Sequence, residues 1–512
     1  MKPSNELFHL IKSLTKSEKR FFKLSSSIQS GEKNYFKLFD FIDSQSVYDE
    51  AKVKEHFKKE RFIKHLPSEK NHLYKLILKS LRQFHGEQST SSILKQEIKN
   101  IELLYDKALH KEAKKFLKRA KKIAHEHEEF YFLIELISWE KVLTEESYES
   151  GDFDIDLNNI IAEESLVIDK LRNLAAYHIL YSRINAVFRS DGFAKNEEQR
   201  RTVDEIANHE LIKGKNTALS KRAASICYYI QGLCAATSRD FELSYTKFNR
   251  VRLILDQNPK IKVDLAQRYV LTLFHLMQSY TNEKNFEMAH EMIQQIKGLK
   301  GKKGFKSLHL TLRINNILLT DQMHLYNLQG QFDKSLAVFE NGYQENKELI
   351  ERSSKEHQIK FYFNAAYTLF AMSDYKNALQ FINLILNDNE QQLRQDIYSF
   401  SRILNLLLHF ELTNYDYLEY SSNSAIRYLN KTKRDHQIEK VFIRQIKKIA
   451  KTATQLETIP IYKETLKQIN TLLEDENERV ILDYIDVKSW LESKITGELF
   501  TDLVKQKVDP KT

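Results

Sequence analysis

The stretch from His125 to Glu129 gathers residue types that bind metal ions, because it reads His-Glu-His-Glu-Glu. Its two histidines are two positions apart, so in a helix they point to different faces. A zinc site needs ligands that converge on one ion. We therefore interpret the stretch as the solvated, charged end of a helix, and we predict no metal site.

The two cysteines, Cys227 and Cys234, are candidates for a redox pair or for half of a metal site. They lie seven positions apart and share one face of a predicted helix. Two helical turns hold their Cα atoms farther apart than the roughly 7 Å that a disulfide tolerates. Helices often hold cysteine as a small buried residue. We predict two buried thiols, which indicate a reducing, cytoplasmic setting.

One glycine cluster, Gly298 to Lys306, could bind phosphate through its backbone amides and its lysines. It falls where a connection between two helices is due, and we interpret it as that connection. The sequence contains no Gly-x-Gly-x-x-Gly, no phosphate-binding loop ending in Gly-Lys-Ser/Thr and no His-Glu-x-x-His. Because no catalytic residue can be named, we predict that the protein is not an enzyme and uses no cofactor.

Positive charge is concentrated at the start of the chain. Residues 1–90 hold 18 Lys and Arg against 11 Asp and Glu, which gives +7 of the net charge of +9. The candidate phosphate contacts lie on two adjoining predicted helices: Lys12, Lys16, Lys19, Arg20 and Lys23. A helix-turn-helix joins its helices by three or four residues, whereas about ten residues, Ser25 to Asn34, follow the second helix here. Solvated basic helices are our first interpretation, and nucleic-acid binding is the alternative.

The composition predicts a helical protein without a membrane span. Only 12 glycines and 5 prolines occur in 512 residues, while average proteins contain about 7% Gly and 5% Pro. Sheets and tight hairpins need these residues for their turns, so the chain should be mostly helix. It has no run of about 18 apolar residues to cross a membrane, and its first residues lack the apolar core of a secretory signal.

An aromatic residue recurs every 40 to 48 residues, each time in a short polar turn. The turns are Gly151-Asp152-Phe153, Asp191-Gly192-Phe193, Arg239-Asp240-Phe241, Lys284-Asn285-Phe286, Gly330-Gln331-Phe332, Ser373-Asp374-Tyr375 and Thr413-Asn414-Tyr415. A fixed period of this size indicates stacked, similar helical units. Each unit leaves an apolar face that only a neighbour covers, so the ends of the array need caps.

Small and large apolar residues recur at fixed distances around these turns. The copies are Gly232, Ser244, Phe248 and Val251; Tyr280, Phe286, Ala289, Ile293 and Ile296; Tyr326, Phe332, Ser335, Phe339 and Gly342; Ala366, Tyr375, Ala378, Ile382 and Ile385; and, earlier, His110, Ala113, Leu117 and Ala120. This spacing resembles the tetratricopeptide repeat. That family has a period of 34 residues, whereas the period of about 44 here falls in the range of HEAT and armadillo repeats. We give the aromatic turn more weight than the period.

The resemblance implies an all-α fold, namely an α-solenoid of stacked antiparallel helix pairs wound into a right-handed superhelix. We predict this array over residues 97–475. A basic helical domain or cap precedes it over residues 1–90, and a capping helix follows it over residues 478–507.

In the resembled family, the first helix of each pair lines a groove that holds a peptide. Aligning the copies on Gly232 gives the candidates Tyr229, Phe274, Gln278, Asn282, His324, Asn327, Phe363 and Tyr367. Aromatic rings and amides suit a peptide. The alternative is that several of these residues form the core between repeats.

Two functions follow from this organisation. The one we favour is a cytoplasmic scaffold that binds a protein or peptide partner in the groove. The alternative is a transcriptional or nucleic-acid-associated regulator, in which the basic N-terminal domain binds nucleic acid and the repeats sense a peptide or protein. That layout is similar to the layout of bacterial peptide-responsive regulators. The identity of the partner and the oligomeric state are left open.

Overall fold

Every regular element in the described part of the chain is helical. The computed structural model describes residues 5–27, 34–149, 151, 157–191, 193–194, 197–388, 393–432, 437–451, 455–475 and 478–508, and no strand occurs in them. The predicted all-α class is therefore confirmed. The chain divides into two compact units, Met1–Val167 and Ile168–Thr512.

The first unit begins with short helices that enclose a core of their own. Its helices are α1 (Glu6–Ser13), α2 (Lys16–Ser27), α3 (Asn34–Ser44), α4 (Glu50–His56), a 3-10 helix (Arg61–His65), α5 (Leu66–Phe84), α6 (Thr90–Asp106), α7 (His110–Glu126), α8 (Phe130–Glu149) and the start of α9 (Leu157–Asp191). The core of α1 to α5 includes Ile11, Leu38, Phe39 and Ile77. A capping box opens α2, because the Glu18 N–H donates to Thr15 Oγ1 at 3.2 Å.

The second unit holds the remaining helices. They are the end of α9, then α10 (Glu197–Ala207), α11 (Glu210–Lys213), α12 (Lys221–Thr237), α13 (Phe241–Gln257), α14 (Pro259–Asp264), α15 (Ala266–Asn282), α16 (Phe286–Lys297), α17 (Leu308–Asn316), a π-helical segment (Ile317–Asp321), α18 (Gln322–Leu328), α19 (Phe332–Glu351), α20 (Lys355–Ala371), α21 (Tyr375–Leu386), α22 (Gln395–Glu411), α23 (Tyr415–Lys431), α24 (Gln437–Ala450), α25 (Gln455–Leu472), a 3-10 helix (Glu478–Asp483), α26 (Val487–Thr496) and α27 (Phe500–Val508). The predicted connection at the glycine cluster joins α16 to α17.

The aromatic turns end one helix and begin the next with one backbone geometry. Arg239 is left-handed, with φ 62°, and the Asp240 N–H donates to the Ala235 carbonyl at 2.9 Å, a bond typical of a helix C-cap. The Asp240 side chain then accepts the Leu243 N–H at 3.0 Å and caps α13. The left-handed residue and the bond to the residue five positions earlier recur at four later turns: those of Lys284, Gly330, Ser373 and Thr413. These predicted turns are helix-to-helix junctions.

The small residues of the repeat are buried where helices meet. Ser244 Oγ donates to the Gly232 carbonyl at 3.3 Å, and Ser335 Oγ donates to the Met323 carbonyl at 3.3 Å. Each bond joins two residues that are twelve positions apart. The same contact between the first and the second helix is therefore present in two separate helix pairs. A Cβ added to Gly232 would lie 2.9 Å from the Phe248 ring. The close neighbour of this glycine is thus an aromatic ring.

Helices of the second unit pack on their neighbours in the chain and on the next helix but one. The helices α18, α20, α22 and α24 form such a row, and α19, α21 and α23 pack between them in chain order. These packed pairs are compatible with the helical repeat predicted from the turns. The predicted domain limits at residues 90, 97 and 475 stay predictions.

One part of the predicted array departs from helix pairs. Between the predicted turns at Phe153 and Phe193, residues Leu157–Asp191 form a single helix of 35 residues. No glycine or proline occurs between these two ends to stop it. Asp152, Phe153 and Gly192 of the two turns lie outside the described residues.

The capping helix predicted over residues 478–507 is divided into three short helices. The Asp486 side chain accepts the Ser489 N–H at 2.8 Å and begins α26, and left-handed Gly497, with φ 80°, ends it. Trp490 in α26 is fully buried. The C-terminal segment is therefore part of the core of the second unit.

Candidate functional site

A cavity of about 190 Å³ lies inside the second unit. It is lined by α15, by α17 and α18 with the π-helical segment between them, and by α20, together with parts of neighbouring elements. Five of the eight residues predicted for a peptide groove line it: Phe274, Gln278, Asn282, His324 and Phe363. The fold thus brings residues from three successive helix pairs around one space, and their role in binding stays a prediction.

Helical spacing explains why these side chains face the same space. On α15, Phe274, Gln278 and Asn282 are four positions apart, so they share one face of the helix. On α20, Glu356 and Lys360 have the same spacing and also line the cavity. Each helix therefore contributes one row of side chains to the cavity wall.

Three predicted groove residues lie elsewhere, between packed helices. Tyr229 is 3% exposed and does not line the cavity. Asn327 Oδ1 accepts a hydrogen bond from Thr368 Oγ1 at 3.0 Å. The Tyr367 hydroxyl accepts the Asp486 N–H at 3.0 Å. For these three the structure matches the alternative interpretation, in which aligned residues form core between repeats.

The C-terminal helices form one side of the cavity. Asp483 and Tyr484 line it; Arg239 Nη1 lies 3.0 Å from Asp483 Oδ2, and the Tyr484 ring stacks on Phe400 with centroids 4.4 Å apart. Farther along the same C-terminal segment, Trp490 is fully buried. These contacts and the burial of Trp490 attach the C-terminal segment to the rest of the second unit.

Glu356 is the centre of an ion cluster in the cavity wall. It pairs with Arg189 Nη1, and its Oε1 lies 3.3 Å from Lys360 Nζ and 3.8 Å from Arg394 Nη1. Arg394 also pairs with Asp396. Burial alone would raise the pKa of Glu356, but attraction to Lys360, Arg189 and Arg394 outweighs burial and holds that pKa well below its usual range. Glu356 is therefore ionised and offsets part of the surrounding positive charge.

Three histidines of the cavity wall are neutral at pH 7. Burial lowers the pKa of His275 to about 3 and the pKa values of His324 and His357 to about 4, and the Lys360 charge adds to each shift. His275 Nδ1 lies 3.3 Å from Gln278 Oε1. These imidazoles offer neutral hydrogen-bonding groups to a ligand.

Two charged residues on one helical rod face the cavity without a partner. Arg313 belongs to α17, and Asp321 ends the π-helical segment. Arg313 Nε is buried and has no hydrogen-bond partner, and neither side chain pairs with any residue that the structure describes. Burial raises the pKa of Asp321 to about 6 and, with the Arg189 charge, lowers the pKa of Arg313. Single-turn π-helical segments occur frequently at functional sites.

Neither a protein-family model nor a curated protein matches this chain. Within the described residues, no group of three or more His, Cys, Asp or Glu side chains could hold a metal ion. In the same parts of the chain, no helix is both long enough and apolar enough to cross a membrane. Cys227 and Cys234 are buried free thiols, as predicted, and burial raises the pKa of Cys234 to about 12. The cavity chemistry is thus the best guide to function.

The candidate nucleic-acid contacts lie on α1 and α2 of the first unit. They are Lys12, Lys16, Lys19, Arg20 and Lys23. Acidic residues of α3 engage three of them, because Asp43 accepts Lys12 Nζ through its carbonyl at 2.7 Å and pairs with Lys19 at 2.6 Å. Asp40 pairs with Lys23 at 2.6 Å. Lys16 and Arg20 are exposed. Local pairing therefore reduces the positive charge that these helices present.

The sequence reasoning missed the charged residues of the cavity. Glu356 and Lys360 precede the predicted Phe363 by seven and three positions, so helical spacing alone could have identified them. Arg189 and Arg394 come from other parts of the chain, and no spacing relates them to α20. Only the fold places them beside Glu356.

Proposed function

We propose that this chain is a non-enzymatic binding protein, which holds a peptide or one end of a protein partner in the cavity of its second unit. The observation that carries the proposal is that five of the eight residues chosen by aligning the repeats line a single cavity. They come from three helix pairs that are separate in the sequence. In this proposal the protein is a cytoplasmic interaction scaffold.

The proposed architecture is an α-solenoid of tetratricopeptide-like pairs, wound into a right-handed superhelix. It is supported by the same backbone geometry at five aromatic turns and by the matching bonds of Ser244 and Ser335. In such an array the first helices of the pairs face inward. The cavity between α15, α18 and α20 would then be the inner surface.

The lining has the mixture of groups that a peptide requires. Phe274 and Phe363 offer apolar surface, and Gln278, Asn282 and Asn364 offer amides for backbone N–H and C=O groups. The volume of about 190 Å³ is smaller than the roughly 300–1,000 Å³ of sites for drug-sized ligands. The cavity therefore suits a very short peptide or the end of a longer one, rather than a segment that passes through.

Affinity ultrafiltration with mass spectrometry tests this proposal. The full chain is mixed with a pool of peptides from dipeptides to decapeptides, and the retained peptides are counted for the wild type, Gln278→Ala and His324→Ala. We expect retention by the wild type and a loss of about tenfold in each variant, because one hydrogen bond of about 1.4 kcal/mol corresponds to a factor of ten. Exposed Gln294→Ala and His309→Ala are the matched controls.

The outcome separates this function from its alternative. Absence of retained peptides at every length would refute the proposal. A salt-sensitive mobility shift with nucleic acid at about 150 mM salt, lost when Lys16 and Arg20 become Glu, would favour the regulator instead. We expect no such shift, because carboxylates of α3 pair with two of the five candidate basic residues and an α3 carbonyl engages a third.

A further inference from the structure

The charged residues of the cavity lining fall into two groups. The described residues of the lining include eight Asp, Glu, Lys and Arg residues, and six of them take part in ion pairs: Arg189, Arg239, Glu356, Lys360, Arg394 and Asp483. The other two, Arg313 and Asp321, pair with no described residue. A buried charge is costly unless a partner of opposite charge offsets it. The unpaired groups are one cation and one anion, so the missing partner carries both signs.

The environment of each unpaired group limits what can bind there. Lys360 and Glu356 of α20 and Arg394, just before α22, are the charges that act on Asp321. Glu356 already offsets Lys360, and Asp396 already offsets Arg394. Asp321 is thus the acceptor that remains open to a further cation. At the other position, the charges of Arg189 and Glu356 both act on Arg313. Glu356 already pairs with Arg189, Lys360 and Arg394. Arg313 is thus the cation that remains open to a further anion.

The separation of the two groups sets the length of the ligand. Arg313 and Asp321 are eight positions apart on one continuous helical rod, which corresponds to about 12 Å along the axis at the α-helical rise, and to slightly less where the helix is π-helical. An extended peptide covers about 3.3–3.6 Å per residue. A chain of about three residues therefore places its two ends near the two groups.

We propose that the cavity binds a peptide of about three residues with both ends free, its ammonium group on Asp321 and its carboxylate on Arg313. This inference rests on the proposed function and names the class of peptide. The amides of Gln278, Asn282 and Asn364 line the same cavity and suit the peptide N–H and C=O groups. The planar Arg313 guanidinium matches a carboxylate in shape and charge.

Blocking each end of the peptide tests the assignment. The full chain is incubated with a mixed tripeptide pool in four forms: free, N-acetylated, C-amidated and doubly blocked. We expect each block to reduce retention at least tenfold. Arg313→Gln should lose the preference for a free carboxylate but keep the preference for a free amine, and Asp321→Asn should show the reverse. Exposed Arg172→Gln and Asp169→Asn are matched controls, and thermal melting confirms folding of each variant.

The dependence on pH provides a second readout for Asp321. Its pKa of about 6 predicts that retention of the free tripeptides falls as the pH drops below about 6, while the peptide ammonium stays protonated because its pKa is about 7.7–8.0. The histidines His275, His324 and His357 titrate at about 3 to 4 and stay neutral in this range. Asp321→Asn should remove this decline in retention.

The possible results separate this inference from the proposed function. Equal retention of free and blocked tripeptides would overturn the inference and leave peptide binding standing. Retention of longer peptides without retention of tripeptides would have the same meaning. Free-end dependence that persists in both Arg313→Gln and Asp321→Asn would show that the ends are recognised elsewhere and would also overturn it. Retention of no peptide at any length would defeat both proposals.

Discussion

The charges of the first helices and the charges of the cavity are arranged under different constraints. In the N-terminal unit, the side chains of the Lys23–Asp40 pair are 49% and 57% exposed, so water screens them whether or not they pair. In the cavity, the side chains of the Lys360–Glu356 pair are 19% and 12% exposed, so each charge needs an offsetting partner. An unpaired charge therefore says little about function on the first surface, whereas in the cavity it supports the proposed peptide binding.

The largest effect should come from removing the carboxylate at the centre of the cavity cluster. Glu356→Gln leaves Arg189, Lys360 and Arg394 close together without their shared anion. We expect the free energy of unfolding to fall by about 3–5 kcal/mol, the usual result of removing one partner of a buried pair. Urea unfolding measures the change. Exposed Glu340→Gln should change the free energy of unfolding by less than about 0.5 kcal/mol. Equal effects of the two variants would contradict the claim that Glu356 stabilises a buried ion cluster.

Acid should destabilise the second unit through its buried histidines. An unfolded histidine has a pKa of about 6.5, while that of His275 is about 3. Between these pH values the folded state binds fewer protons than the unfolded state. The free energy of unfolding is therefore highest above pH 6.5 and falls as the pH decreases toward 3. His275→Gln should remove about 2–3 kcal/mol of the loss between pH 6.5 and 4, judged by urea unfolding at each pH. Exposed His309→Gln is the control. If the free energy of unfolding of His275→Gln changed with pH as it does in the wild type and in this control, His275 would not titrate in this way.

Overfilling a helix contact in the second unit should have an intermediate effect. Ala289 in α16 is fully buried, so Ala289→Leu forces neighbouring side chains aside and should cost about 1–3 kcal/mol. The same substitution at exposed Ala51 in α4 is the control and should be nearly neutral. An unchanged melting temperature for Ala289→Leu would show that the repeat contact is loose.

The smallest effect should come from the paired lysines of the first unit. Asp43→Asn removes the ion pair with Lys19, whose side chains are both 26% exposed. Pairs of this kind contribute about 0–1 kcal/mol, and we expect a change in that range by urea unfolding, with a smaller difference at 1 M salt than at 0.1 M salt because screening weakens the pair. A loss comparable to that of Glu356→Gln would erase the contrast between the two regions.

The parts of the fold that follow from local chemistry could be predicted from the sequence. At Arg239-Asp240-Phe241, the polar turn before an aromatic indicated a helix end and a new helix, and the structure has both. The long helix α9 was missed, because the aromatic turns on either side suggested a pair although nothing between them ends a helix. The C-terminal segment was predicted as one helix, whereas Asp486 begins and Gly497 ends a separate helix within it.

The candidate site could be predicted only where one helix repeats another. Phe274 and Gln278 were found because helix spacing and repeat alignment place them on one face. The cluster of Arg189, Glu356 and Arg394 depends on segments far apart in the chain, which no local pattern connects. The absence of partners for charged residues is a property of the folded cavity, so the sequence could not indicate it.

Hydrogen exchange on the full chain, with and without a saturating pool of dipeptides to decapeptides, tests most directly the claim that the cavity is the binding site. Ligands that bind there should slow amide exchange in α15, α17, α18 and α20, because binding stabilises the closed local structure. Exchange in α1 to α3 should not change. Protection confined to α1 to α3, or no protection anywhere at a peptide concentration that saturates retention, would contradict the account.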